Sequence, residues 1–268
     1  MKNTKTFKKI YSTLRPFVLS SFLLLCFSPF FAFAQFGGGS GTENDPYMIT
    51  NAKQLAQLAT YVNAGDTHYN DKHYKLNNDI SLLDYRIGTG WTPIGNEYAF
   101  RGSFDGNDKI VSALYIHNPN LECTGLFGYT YGATLKNVVL ENVSINGGSN
   151  VDLYTGNSAV GALVGYAYQC KITNCYASGE ICGKESIGGI VGFFTGEINN
   201  CHSVCNITGI EENWLSVGGV VGKLYYNTHA DRCYSTGIIS VSGQTHNSVG
   251  GVIGEVVDHS VLVENCMP

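Results

Sequence analysis

Gly161-Ala162-Leu163-Val164-Gly165, Gly188-Gly189-Ile190-Val191-Gly192, Gly218-Gly219-Val220-Val221-Gly222 and Gly250-Gly251-Val252-Ile253-Gly254 are four versions of one phrase. Their first glycines lie 27, 30 and 32 residues apart, and a looser version stands at Thr124-Gly125-Leu126-Phe127-Gly128. Each phrase is followed, after a variable interval, by a second marker: Asn174-Cys175-Tyr176, Asn200-Cys201-His202, Arg232-Cys233-Tyr234 and Asn265-Cys266-Met267. Two markers in step through four units make a repeat. A period of about 20–50 residues signals a solenoid, a propeller or an array.

The texture between the markers is β throughout, with no helix-period stretch after Gly125. A strand is expected at each glycine phrase, a second near each marker cysteine, and a third between them at Glu180-Ile181, Ile207 and Ile238-Ile239. Three short strands per turn describe an all-β fold, the parallel β-helix, in which each coil pairs with its neighbours at a rise of about 4.8 Å. Propeller blades need roughly 40–45 residues and four strands, more than these units hold. Within the phrase, alternation is expected to send one large apolar residue inward and the other outward. The glycines would allow tight bends or positive φ.

Upstream of the repeats, residues 1–34 read as an export signal. Lys2, Lys5, Lys8, Lys9 and Arg15 precede an apolar stretch from Phe17 to Phe33, and Ala32-Phe33-Ala34 is a small-x-small cleavage site. Cys26 follows Leu25 where a lipoprotein signal wants a small residue, so no lipid anchor is expected. Residues 35–43 form a glycine-rich flexible lead-in, 44–123 an N-terminal cap and the first coils, and 124–268 the repeats. The one helix expected runs from about Ala52 to Asn63, with Asn51 as its cap, Gln54 in capping-box position and Gly65 just past its end. Leu55, Leu58, Ala59 and Val62 share one face, suited to closing the open end of a stack.

Removal of five basic groups with the signal takes the formal net charge from −5 to −10. That balance argues against nucleic acid and anionic membrane as partners. Eight cysteines remain. Cys175, Cys201, Cys233 and Cys266 occupy one repeat position and are expected to stack as small buried apolar residues, their Cβ vectors side by side and poorly placed for bridging. Cys170, Cys182 and Cys205 lie off that ladder and could supply a disulfide; Cys123 completes the set.

No catalytic, cofactor-binding or metal-ligating set emerges. His68 and His73 stand in a polar loop without zinc-hydrolase spacing, and His117, His202, His229, His246 and His259 are scattered. Polysaccharide lyases and hydrolases of β-helical fold use carboxylates on one outer face. Asp79, Asp84, Asp105 and Asp108, with Arg86, Arg101 and Lys109 near in sequence, are the only candidates, and Asp105-Gly106-Asn107 already reads as a turn. Among the repeats only Glu211-Glu212 are adjacent acids. Exposed tyrosines and Trp214 could bind sugar or protein, with packing as their plainer use.

The glycine phrase with its Asn-Cys-Tyr echo resembles the GLUG motif of bacterial surface proteins, clearest at Ile187–Gly192 with Ile198–Cys201 and at Val217–Gly222 with Arg232–Gly237. Gly41–Pro46, the Leu55–Leu58 helix, Tyr74–Asp79, Trp91–Gly95 and Phe104–Asn107 are similar to the upstream region of such proteins. The resemblance implies a right-handed β-helix used as a stalk or binding surface, in adhesin-like proteins or beside immunoglobulin-A-cleaving metallopeptidases whose zinc motif this chain lacks. The expected function is therefore an exported, non-enzymatic surface protein, secreted or at the cell surface with the periplasm possible, that binds a host or glycan ligand. A β-helical polysaccharide lyase or hydrolase is the alternative, and a truncated stalk of a larger surface protein or peptidase the third reading. Because the last unit stops at Cys266-Met267-Pro268, its coil edge is expected to invite end-to-end pairing.

Overall fold

Val164–Thr173, Tyr176–Gly183 and Ser186–Gly188 make one full coil, and Val191–Asn199, His202–Gly209 and Ser216–Gly218 make the next. Corresponding strands pair in parallel, with Ile172 against Ile198, Ile181 against Ile207 and Ile187 against Val217. Repeated along the chain, this pairing builds a long, a middle and a short sheet. The fold is the expected parallel β-helix, right-handed as parallel crossovers are. This computed structural model describes residues 35–148, 158–210, 215–242 and 247–268. The export signal, Glu211, Glu212, Trp214 and His246 lie outside the described residues.

The glycine phrase is a corner, not a strand. A short-sheet strand ends at Gly188 and a long-sheet strand begins at Val191. The bend resets the alternation, so both large residues face the interior: Leu163 and Val164, Ile190 and Val191, and Val220 and Val221 are all core residues at 1 % exposure or less. This corrects the expectation that one of each pair points outward. The phrase glycines have no positive φ. They are required by close approach instead: a Cβ on Gly189 would lie 2.0 Å from Ser203 Oγ and 2.2 Å from the Gly219 carbonyl.

Positive φ falls on the first residue of each marker, at Asn174 (55°), Asn200 (52°), Arg232 (49°) and Asn265 (52°), and on Asn137 (53°) at the equivalent place one coil earlier. Asparagine tolerates that left-handed geometry better than most residues. Its amides also bond from coil to coil: Asn200 Nδ2 donates to Asn174 Oδ1 (2.7 Å), Asn174 Nδ2 to Asn137 Oδ1 (3.2 Å), and Asn137 Nδ2 to Asp105 Oδ1 (2.9 Å). The expected intermediate strands are also reassigned. Glu180-Ile181 and Ile207 belong to the strand that follows the marker, and the third strand is the short one before each phrase.

The helix, α1, spans Ala52–Asn63 as expected. Asn51 Oδ1 accepts from Gln54 N (3.1 Å), Gln54 Oε1 accepts from Thr50 N (2.8 Å), and Gly65 takes φ 70° just past the end. Leu55, Leu58, Ala59 and Val62 are buried with Ile49, Leu76, Trp91 and Ile94 in one core. Asn63 fixes α1 to the first coils, its Nδ2 donating to Pro93 O (2.9 Å) and its Oδ1 accepting from Gly95 N (2.8 Å). Phe36, in the lead-in, is 3 % exposed and packs against Tyr47 and Tyr74.

Cys175, Cys201 and Cys233 form the expected interior stack, the Cys201 thiol in contact with both neighbours, and Cys266 continues it at the last coil. Burial pushes the Cys201 thiol well above the ordinary range. No bridge joins Cys170, Cys182 and Cys205. Register explains this: Cys170 pairs with Gly196, Cys205 with Gly179 and Cys182 with Thr208, three different columns.

Candidate functional site

The long sheet carries its most distinctive chemistry outside the core. Ala167 and Phe194 on adjacent rungs face inward, so their neighbours Tyr166 and Phe193 stand on the outer face. Phe193 is only 4 % exposed although it stands outside the cluster of side chains that fills the interior. What covers it is an aromatic column. Tyr129 meets Tyr166 edge-on (5.4 Å), Tyr166 stacks on Phe193 (4.4 Å, planes within 4°), and Phe193 contacts Tyr225 (5.8 Å). A second column runs beside it, with Tyr131 stacked on Tyr168 (5.5 Å), and Tyr168 edge-on to Tyr226, where the two hydroxyls meet. Arg101 lies 4.9 Å over the Tyr131 ring, a cation–π contact that closes the column. Burial raises the Tyr166 and Tyr129 pKa values, so these phenols stay neutral donors.

Beside the second column lies a groove of about 600 Å³. Its floor is a bulge: the pairing register shifts between Ala167 and Cys170, where Gln169 takes φ 54° and Gly196 φ 119°. A Cβ on Gly196 would lie 2.1 Å from the Cys170 carbonyl, so this rung needs glycine. In the following coil the strand breaks into Val221–Leu224 and His229–Asp231, and in the last described coil into Ile253–Val256 and Leu262–Glu264. The loops between these pieces form the far wall, tied together by Asn227 N donating to Ser260 Oγ (2.8 Å). Lys171 and Glu197 pair across the floor (2.9 Å), and His229 Nε2 lies 3.3 Å from Glu264 Oε2. Tyr226 forms the aromatic side.

The candidate acids from the sequence are not gathered here. Asp79 Oδ1 accepts from Ile110 N (3.0 Å), and Asp84 and Asp108 are exposed at a 3-10 turn and a tight turn. Asp105 ends the asparagine ladder. Burial works to raise its pKa, but hydrogen bonds from Asn137 and Asn107 N, with Lys136 at 3.5 Å, outweigh it and hold the carboxyl low. Arg86 sits over Tyr115, and Arg101 belongs to the aromatic column. His73 is in a strand, not a loop, with its Nδ1 2.7 Å from Ser103 Oγ. Among the described residues no group of three His, Cys, Asp or Glu side chains is placed to hold a metal ion.

The tyrosines look scattered in the sequence because the corner between Gly161 and Val164 resets the alternation, so which positions after it face out is set by packing. One signal did point here. The interval from the phrase's last glycine to the residue before the marker cysteine is 9, 8, 10 and 11 residues in successive units, and the groove lies where that interval varies.

This is a repeat protein of stacked β-helical coils that carries an aromatic outer face and a polar groove. The chain carries the GLUG motif, whose family model matches residues 156–181. It is 32 % identical over 161 residues to Halomucin of Haloquadratum walsbyi, covering 58 % of this chain and 2 % of that one. It is 32 % identical over 136 residues to a protein of Evansella cellulosilytica provisionally named a Gly-rich membrane protein, covering 50 % of this chain and 14 % of the relative. The chain thus spans a small fraction of the length of these relatives. Among solved structures it is similar to one from Bacteroides ovatus, provisionally named an immunoglobulin A1 protease, with a TM-score of 0.61 and 21 % identity over 87 % of this chain and 77 % of that one. That likeness is one of fold. Among the described residues no helix is long and apolar enough to cross a membrane.

Proposed function

We propose that this is an exported β-helical protein that acts at the cell surface as a non-catalytic ligand-binding module, with the outer face of the long sheet as its binding surface. The observation that carries this is the double aromatic column Tyr129–Tyr166–Phe193–Tyr225 and Tyr131–Tyr168–Tyr226, built outside the core. Aromatic side chains add large, rigid contact area at little entropic cost, which suits protein or glycan recognition. Export is supported by the basic and apolar stretch at residues 1–34 and by the likeness to a relative named as a membrane protein. The non-catalytic reading is supported by how the acids of the N-terminal coils are spent: Asp79 and Asp105 hold backbone and ladder amides.

The test is binding of the mature protein to intact host cells and to a glycan and protein array, beside a variant carrying Tyr166→Ser and Tyr168→Ser. Binding that falls at least tenfold in a folded variant supports the reading. Equal binding by both proteins, or turnover of an acidic polysaccharide by the wild type, overturns it. Protection from protease added to intact producing cells would place the protein inside the envelope and overturn the surface location.

A further inference from the structure

We infer that the groove beside Tyr226 is a discrete subsite for one neutral sugar unit. This rests on the ligand-binding reading above and narrows it to a chemical class. Tyr226 borders the groove and among the described residues has no parallel-stacked neighbour: it meets Tyr168 at 79° and Tyr225 at 62°. It is the ring at which the second column turns away from self-stacking and toward the groove.

The polar lining matches hydroxyl groups rather than a charged ligand. Lys171 is balanced by Glu197 at 2.9 Å, and His229, whose Nε2 lies 3.3 Å from Glu264 Oε2, adds a ring nitrogen, so the floor offers donors and acceptors around a neutralised ion pair. The Gln169 side chain is exposed at the bulge, where its backbone N–H donates to Thr195 Oγ1 (2.6 Å). Its amide adds a donor and an acceptor to the ion pair. An aromatic wall with a few convergent polar groups, in a cleft within the range of about 300–1,000 Å³, is the pattern of small-ligand sites. A sugar presents an apolar C–H face and a rim of hydroxyls, which this combination fits. An anion would meet Glu197 and Glu264, and a cation Lys171.

The backbone is built to keep this space open. Gln169 and Asn227 both take left-handed φ, 54° and 52°, at the two edges of the groove, and Thr228 Oγ1 donates to Tyr225 O (2.6 Å) to fix the loop that carries Tyr226.

The experiment is isothermal titration and saturation-transfer NMR of the mature protein with the methyl glycosides of glucose, galactose and N-acetylglucosamine, and with glucuronate as the acidic comparator. The expected result is binding of at least one neutral glycoside, weaker binding of glucuronate, and at least a tenfold loss in Tyr226→Ala. Lys171→Gln, at an exposed position, should weaken binding severalfold with an unchanged melting temperature, which separates loss of the site from loss of fold. Binding of none of the neutral glycosides, tighter binding of glucuronate, or unchanged affinity in both variants overturns the subsite. Cell or array binding that survives Tyr226→Ala but falls with Tyr166→Ser and Tyr168→Ser would sink the subsite and leave the broader reading standing.

Discussion

Tyr166 and Phe193, 27 residues apart in the chain, stack with ring centroids 4.4 Å apart and planes within 4°, outside the hydrophobic core. The column they anchor stabilises the outer face and also constitutes it. Removing either ring therefore changes stability and surface together. A double-mutant cycle with Tyr166→Leu and Phe193→Leu should yield a coupling of about 0.5–1.5 kcal/mol in urea denaturation, the usual value of an aromatic pair beyond its buried area. Additive effects would mean that the stack contributes area alone.

The corner glycines should resist substitution even though none has positive φ. Gly189→Ala would drive a methyl into Ser203 Oγ and the Gly219 carbonyl of the next coil. We expect a loss of about 1–3 kcal/mol, as for overpacked cores, read as a lower denaturation midpoint. An unchanged midpoint would show that the coils can separate to admit the methyl.

At the marker position two effects can be told apart. Asn174→Gly removes the amide ladder to Asn137 and Asn200 but keeps a residue at ease with φ 55°. Asn174→Ala removes the ladder and adds left-handed strain of roughly 1–2 kcal/mol. The alanine variant should be the less stable by about that amount. Equal stabilities would assign the asparagine's value to its hydrogen bonds.

The middle of the cysteine stack, at Cys201, should be chemically silent in the native state, as should the buried Cys205. Burial raises the Cys201 thiol well above its ordinary range and pushes Cys205 up to about 12, and both are wholly buried. Iodoacetamide at pH 8 should label Cys182, which is partly exposed, before either of them. Mass spectrometry of the peptides reads the order; early labelling of Cys201 would show that the coils open readily.

His202 should make stability depend on pH. It lies between Tyr176 and Tyr234, stacked on the latter at 3.7 Å, and its Nε2 is buried without a partner. Burial lowers its pKa, so the folded chain prefers the neutral ring, while the unfolded chain takes up a proton near pH 6.5. Its contribution is present above about pH 6.5 and is lost as the pH falls toward the lowered folded value. His202→Phe should flatten the fall in melting temperature between pH 7 and 5; an identical slope would remove His202 as the cause.

The repeat, the helix and the stacked cysteines are legible in the amino-acid order, because each rests on local pattern. Asn51, Gln54 and Gly65 bound α1 through caps made within a few residues, and the recurring marker, despite its unequal spacing, puts Cys175, Cys201 and Cys233 on one column. The direction of a side chain near a corner is a different matter. Alternation predicts one inward residue for Ile190-Val191, but the strand ends at Gly188 and restarts at Val191, so packing buries both. The same holds on the outer face. Tyr129, Tyr166 and Phe193 each follow the last glycine of a phrase, ahead of the bulge at Gln169, but that this position faces outward is settled by the packing of Ala167 and Phe194 into the core beside it. That Tyr226 borders a groove depends on the loop between Val221–Leu224 and His229–Asp231, where the preceding coil has one continuous strand. Pattern fixes what stacks above what while the strands run regularly; at a corner or a broken strand, only the packed neighbours fix which way a ring points.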